Sequence, residues 1–160
     1  MQRRAFLHTT LGLGLSSFFF PKTSAACPPG VVLRFAVASD GHFGQPGVDS
    51  ETNFRKLSEW MVAEKSGKGL DFVVINGDLF HDDPKFAPAV KAAFDRLPVP
   101  YYVTRGNHDH LSAEQWQQTW GYGLNHSFTF GDYGVVLLDT SDGTGKYVCS
   151  DAAWLQTELA

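Results

Sequence analysis

Cysteine is almost missing from this chain, with Cys27 and Cys149 as the only two in 160 residues. So few exclude a cysteine-ligated metal cluster and a disulfide-dense scaffold. An excess of positive charge is missing too. Lys and Arg total 13 against 17 Asp and Glu, for a formal net charge of -4. The first 26 residues hold Arg3, Arg4 and Lys22 and no acid, so setting that +3 aside leaves -7 on the remainder. Such a balance argues against a nucleic-acid or anionic-membrane surface and tolerates bound cations. The chain also lacks an internal repeat, a low-complexity tract and an apolar run of the roughly 20 residues that span a bilayer comfortably.

What is present describes one globular domain. Apolar residues make up 43% and aromatics 14%, enough for a sizeable core. Met1–Ala26 has the layout of an export signal: Arg3 and Arg4, an apolar stretch Leu11–Phe20, then the small residues Ser24-Ala25-Ala26. Gln2-Arg3-Arg4-Ala5-Phe6-Leu7-His8 resembles a twin-arginine signal, and an ordinary secretory signal is the alternative. Either implies a periplasmic or extracellular protein. Cys27 follows the small residues directly, where lipidation can tether a protein to a membrane; its other possible use is a disulfide with Cys149. Residues 27–30 then form a linker, and 31–160 form the domain.

Three apolar runs organise that domain. Val31–Ser39, Leu70–Asn76 and Val99–Thr104 each have the near-continuous character of strands buried on both faces of a sheet. Between them, Phe54, Leu57, Trp60 and Met61 share one helix face, and Phe86, Val90, Phe94 and Leu97 another, with Pro84 tolerable in an early turn. The order βαβαβ predicts a parallel sheet. Beyond it, Ser112 can cap a helix carrying Trp116 and Trp120. Ser127–Phe130 and Val135–Asp139 flank Gly131–Gly134 as a hairpin that begins a second sheet. Ser150 can cap a last helix with Trp154, Leu155 and Leu159 inward.

Each of the three runs ends in metal-ligating chemistry: Asp40-Gly41-His42, Gly77-Asp78 and Gly106-Asn107-His108-Asp109. The carboxyl ends of strands in an open α/β sheet line one crevice, so the three clusters are expected to converge. Asp40 and His42, two apart, point the same way if the backbone is extended. A carboxylate with an imidazole suits Zn, Mn or Fe better than Ca or Mg. Asp78 can bridge two cations, and Asn107 offers an oxygen to the second. His108 can serve a leaving group, with its neighbour Asp109 orienting the ring.

Asp40-x-His42, Gly77-Asp78 and Gly106-Asn107-His108-Asp109, in that order after apolar strands, resemble the calcineurin-like metallophosphoesterase family. The resemblance runs from about Val31 onward. It implies a four-layer αββα sandwich and hydrolysis of phosphate mono- or diesters by a metal-bound hydroxide at a dinuclear site. It implies that Asp40, His42 and Asp78 hold the first metal, that Asp78 and Asn107 hold the second, and that His108 assists the leaving group. The substrate would be a small phosphoester, a nucleotide among the candidates. The family also carries a later histidine and a Gly-His-x-His motif. Neither occurs here, since the last of the six histidines is His126. The resemblance therefore covers the family's amino-terminal half, the first sheet and the start of the second, and the alternatives are a non-catalytic metal- or phosphate-binding relative or half of a split enzyme. Purple acid phosphatases have Tyr three residues after the bridging Asp; His81 stands there, which points to the general phosphatase or phosphodiesterase branch.

Other polar residues have plainer readings. His81 and His110 read as loop residues, with a site or metal contact at His81 and a substrate-phosphate contact at His110 as the alternatives; His126 reads as structural, Arg105 as solvated with anion steering as its alternative, and Asp139 as a turn cap. Trp60, Trp116, Trp120 and Trp154 read as core or core edge.

Overall fold

A computed structural model describes residues 33–160. The expected export signal over 1–26 and the linker over 27–30, with Cys27, lie outside the described residues. No described helix is long and apolar enough to cross a membrane.

The first half is the expected βαβαβ unit. Strands β1 (Phe35–Ala38), β2 (Phe72–Asn76) and β3 (Tyr101–Thr104) form a parallel sheet in the order β1-β2-β3. Ala38 pairs with Ile75 and Asn76 with Thr104, so the three carboxyl ends lie side by side. Helix α1 (Ser50–Lys68) starts at Asp49, whose side chain accepts from the Thr52 amide, and has Glu51 in its first turn and Lys65 and Lys68 in its last. A 3-10 turn at Pro84–Phe86 leads into α2 (Ala87–Phe94). A capping box between Ser112 and Gln115 opens α3 (Ala113–Trp120), and Gly121, left-handed at φ 86°, closes it.

Alternation along the strands decides what each face meets. Val73, Ile75 and Val103 join Phe54, Met61, Val90, Phe94, Trp116 and Trp120 in one apolar cluster, so the helices cover that face. Phe72 and Tyr102 belong to the other face. There β4 (His126–Phe130) and β5 (Tyr133–Leu137) form an antiparallel hairpin. Phe128 stacks on Tyr102 at 3.4 Å between centroids and meets Phe72 edge-on at 5.1 Å. The turn is tighter than expected, since Phe130 pairs directly with Tyr133 across Gly131-Asp132. The last helix, α4 (Ala152–Glu158), reaches β4 through a hydrogen bond from the Ser127 hydroxyl to Glu158.

Four expectations need correction. The first strand is an edge strand, not one buried on both faces: Phe35 and Val37 are 50% and 62% exposed because the two-stranded hairpin covers only β2 and β3. Trp60 is 68% exposed, since α1 turns that position away from the sheet. Asp151, not Ser150, caps α4 by accepting from the Trp154 amide. Leu159 lies past the end of α4 and is exposed, not inward. His126 is buried and stacks on Tyr122 at 4.0 Å.

Candidate metal centre

Main-chain hydrogen bonds continue past the strands and stitch their loops together. The Asp40 amide donates to the Gly77 carbonyl, His42 to Asp78, Phe43 to Leu79, and His81 back to Phe43. The third loop joins through the Asp82 amide, which donates to the carbonyl of His108, and through the His108 amide, which donates to Asp78 Oδ1 at 3.0 Å. The three clusters therefore meet, though not for the reason expected of Asp40 and His42. Their backbone is left-handed, at φ 56° and 40°, not extended. Asp78 and Asp82 are also left-handed, at 52° and 57°. Non-glycine residues avoid this region at a cost on the order of 1–3 kcal/mol each, and such residues gather at functional sites.

His42 Nε2 lies 3.9 Å from Asp40 Oδ1 and 3.8 Å from Asp78 Oδ2. Neither contact is a hydrogen bond, and Asp40, His42 and Asp78 offer ligand atoms that all lie within 4.8 Å of one another, a spacing on which one cation can be shared. A carboxylate, a second carboxylate and an imidazole form a donor set for Zn, Mn or Fe. Asp40 stays largely exposed while Asp78 and His42 are mostly covered, so the set opens on solvent from one side. Asn107 sits beside Asp78 in a polar cleft of about 210 Å³ that Thr140, Ser141 and Tyr147 also line. Its Oδ1 accepts from the Tyr147 hydroxyl at 2.8 Å. Among the described residues, a second ion there would have Asp78 and Asn107. A larger groove of about 700 Å³ between α1 and α2 contains none of these residues.

His108 is oriented, but not by Asp109. Its Nδ1 lies 2.6 Å from Asp82 Oδ1, a residue the sequence reasoning passed over. His110 Nε2 approaches the same oxygen at 3.3 Å. The hydrogen bond between His108 and Asp82 raises the pKa of His108 above its usual value and lowers that of Asp82. Asp109 is fully buried and accepts from the amides of Leu79, Phe80 and Gly106, at 2.8, 3.1 and 2.7 Å. Burial pushes its carboxyl up to about 7 while those amides pull the other way. Asp109 ties the second strand-end loop to the third; it does not touch the His108 ring.

Arg105 and Asp139 also depart from expectation. Arg105 is buried, with Nη2 2.5 Å from Asp139 Oδ2, and it donates to the carbonyls of Leu111 and Ser141. The pair joins the end of β3 to the segment after β5. His81, read as a loop residue, stands inside the cluster with its Nδ1 3.3 Å from His42 Nδ1.

A family model described as calcineurin-like phosphoesterase matches residues 33–155, and the chain belongs to that family. No curated protein matches the chain.

Proposed function

We propose that this calcineurin-like phosphoesterase hydrolyses phosphate mono- or diesters with two divalent cations, Mn, Fe or Zn, in a four-layer αββα sandwich of which residues 33–160 supply the first sheet and the start of the second. The observation that carries the reading is the facing of His42 Nε2 with Asp40 and Asp78 at 3.8–3.9 Å, too far to bond each other and spaced to share an ion. Asp40, His42 and Asp78 would hold the first cation, and Asp78 with Asn107 the second. When bound, such ions make water a nucleophile near neutral pH and offset charge on the phosphoryl oxygens.

The rest of the chemistry falls to the chain. His108 donates the proton on Nε2 to the leaving oxygen as its bond to phosphorus breaks. Asp82 holds Nδ1, which fixes the ring's direction and favours the protonated form. The substrate is a small phosphoester, such as a nucleotide. Met1–Ala26 supports export, with Cys27 available for lipidation.

The test is calorimetric titration with Mn²⁺ or Zn²⁺ beside hydrolysis of bis-p-nitrophenyl phosphate. Saturable binding with turnover that a chelator abolishes supports the reading, and absence of binding removes it. Binding without turnover selects a second reading, a non-catalytic metal- or phosphate-binding relative or half of a split enzyme. One observation favours that alternative: among the described residues the second cation has only Asp78 and Asn107, and the Asn107 oxygen already has a partner in Tyr147.

The pH profile gives a separate prediction. His108 must be protonated to act, and its bond to Asp82 raises its pKa, so the alkaline limb of kcat/KM lies above the ordinary histidine value of about 6.5. Asp82→Asn removes the negative charge and is expected to move that limb to lower pH. An unmoved limb would show that the carboxylate does not set it.

A further inference from the structure

We infer that His81 is a positioning residue for His42, the acceptor that fixes which nitrogen His42 offers to a cation. The inference rests on the proposal that His42 holds the first cation. His42 has two distinct ring nitrogens. Nε2 faces Asp40 Oδ1 and Asp78 Oδ2, and Nδ1 faces Nδ1 of His81 at 3.3 Å. A neutral imidazole carries one proton, and the nitrogen that takes a cation must present a lone pair. His42 therefore carries its proton on Nδ1 and donates it to Nδ1 of His81. Ligating histidines need such an outer partner, which sets the tautomer and the ring's direction.

Accepting at Nδ1 decides the tautomer of His81 as well. Its proton belongs on Nε2, which faces Asp82 Oδ2 at 3.6 Å, too far for a hydrogen bond. The other oxygen of Asp82 holds His108 Nδ1. His42, His81, Asp82 and His108 thus form one ordered series, with a single carboxylate between the ligand side and the leaving-group side. The series is fixed from several directions. The His81 ring stacks on His108 at 5.2 Å and meets His42 edge-on at 5.3 Å, and the His81 amide donates to Phe43.

The competing role for His81 is direct ligation in a site of His42, His81 and His108. Geometry disfavours it. Such an ion would draw on His42 Nδ1 and leave Nε2 aimed at two carboxylates with no cation between them. His108 could enter it only through Nε2, since its Nδ1 is already committed to Asp82.

Long-range ¹H–¹⁵N spectra of the ¹⁵N-labelled chain with Zn²⁺ test this. The expected spectrum has His42 protonated on Nδ1 with Nε2 shifted by zinc, and His81 protonated on Nε2 with Nδ1 free of zinc. Calorimetry should show His81→Phe losing about 10–100-fold in Zn²⁺ affinity. His81→Asn puts an amide oxygen near the place of Nδ1 and should recover most of that loss, which a merely space-filling role would not produce. A zinc-shifted His81 Nδ1, full affinity in His81→Phe, or equal losses in Phe and Asn would overturn the inference. Should the Phe variant fail to fold, the wild-type spectrum and the Asn variant still decide. Asp40→Ala and Asp78→Ala separate the two levels of argument: unchanged Zn²⁺ affinity in both removes the cation site itself, whereas losses there with no effect at His81 remove only its positioning role.

Discussion

Gly106→Ala is expected to lower metal-dependent hydrolysis by about 10²-fold, the order of loss that follows a misplacement of about 1 Å at a catalytic centre. A Cβ on Gly106 would lie 2.1 Å from the Asp78 amide nitrogen and 2.2 Å from Asp78 Oδ1. Both atoms belong to the site: Asp78 faces His42 through one oxygen and receives the His108 amide through the other. A methyl group there forces the second and third strand-end loops apart, because the nearest colliding atom is backbone and Asp78 Oδ1 is held by the His108 amide. Gly77 completes the fit, left-handed at φ 74° and with its own Cβ position 3.0 Å from Gly106 Cα. Such overpacking also costs about 1–3 kcal/mol of stability. Gly67→Ala is the contrast. Gly67 lies in α1 with open space around its Cβ position, and helix propensity alone should stabilise that variant by about 0.5–1 kcal/mol. Urea unfolding of both variants, beside Mn²⁺ titration and hydrolysis, checks the pair. A Gly106→Ala chain that binds Mn²⁺ and turns over normally would mean that the loops part without moving Asp78.

Much of this site was legible because its signals are local. Buried apolar runs announced β2 and β3, and the ligating residues directly after them announced a site at their ends. The role of Asp109 was not legible. His108 and Asp109 are neighbours in sequence, so a contact between them was the economical expectation; in the fold Asp109 turns inward to three amides, and Asp82, 26 residues upstream, takes the His108 ring. No periodicity marks Asp82, and only the pairing of the loops after β2 and β3 brings it there. Arg105 misled for the same reason, its partner Asp139 being 34 residues away. Hydropathy was equally silent on which strand lies at the edge. Phe35 and Val37 are as apolar as the residues of β2, and their exposure reflects how many strands the hairpin contributes, which their own segment does not encode.

Arg105→Met is expected to cost about 3–5 kcal/mol, the range for breaking a buried ion pair on one side. The Arg105 side chain is 5% exposed and that of Asp139 10%, so the carboxylate left behind has little water to solvate it. Arg105 also donates to the carbonyls of Leu111 and Ser141, and each buried acceptor stranded by its loss adds on the order of 1–3 kcal/mol before relaxation. The double variant Arg105→Met with Asp139→Leu separates these contributions. Removing both charges eliminates the isolated carboxylate but not the stranded carbonyls, so the double variant should be more stable than Arg105→Met alone and less stable than wild type. Non-additivity on the order of 0.5–3 kcal/mol in the cycle would place the cost in the lone charge. The consequence for the site follows from position. Arg105 immediately precedes Gly106 and Asn107, and its anchors at Asp139 and Ser141 hold the segment that walls the Asn107 cleft. Loosening that segment should weaken binding at Asp78 and Asn107 more than at Asp40, His42 and Asp78, whose loops are fastened by the main-chain bonds of β1 and β2. Denaturant unfolding of the metal-free chain reads the first effect and two-site Mn²⁺ titration the second. A cost below about 1 kcal/mol, within the range of an exposed pair, would mean that water reaches Asp139 and that Arg105 is not the clamp between β3 and the hairpin.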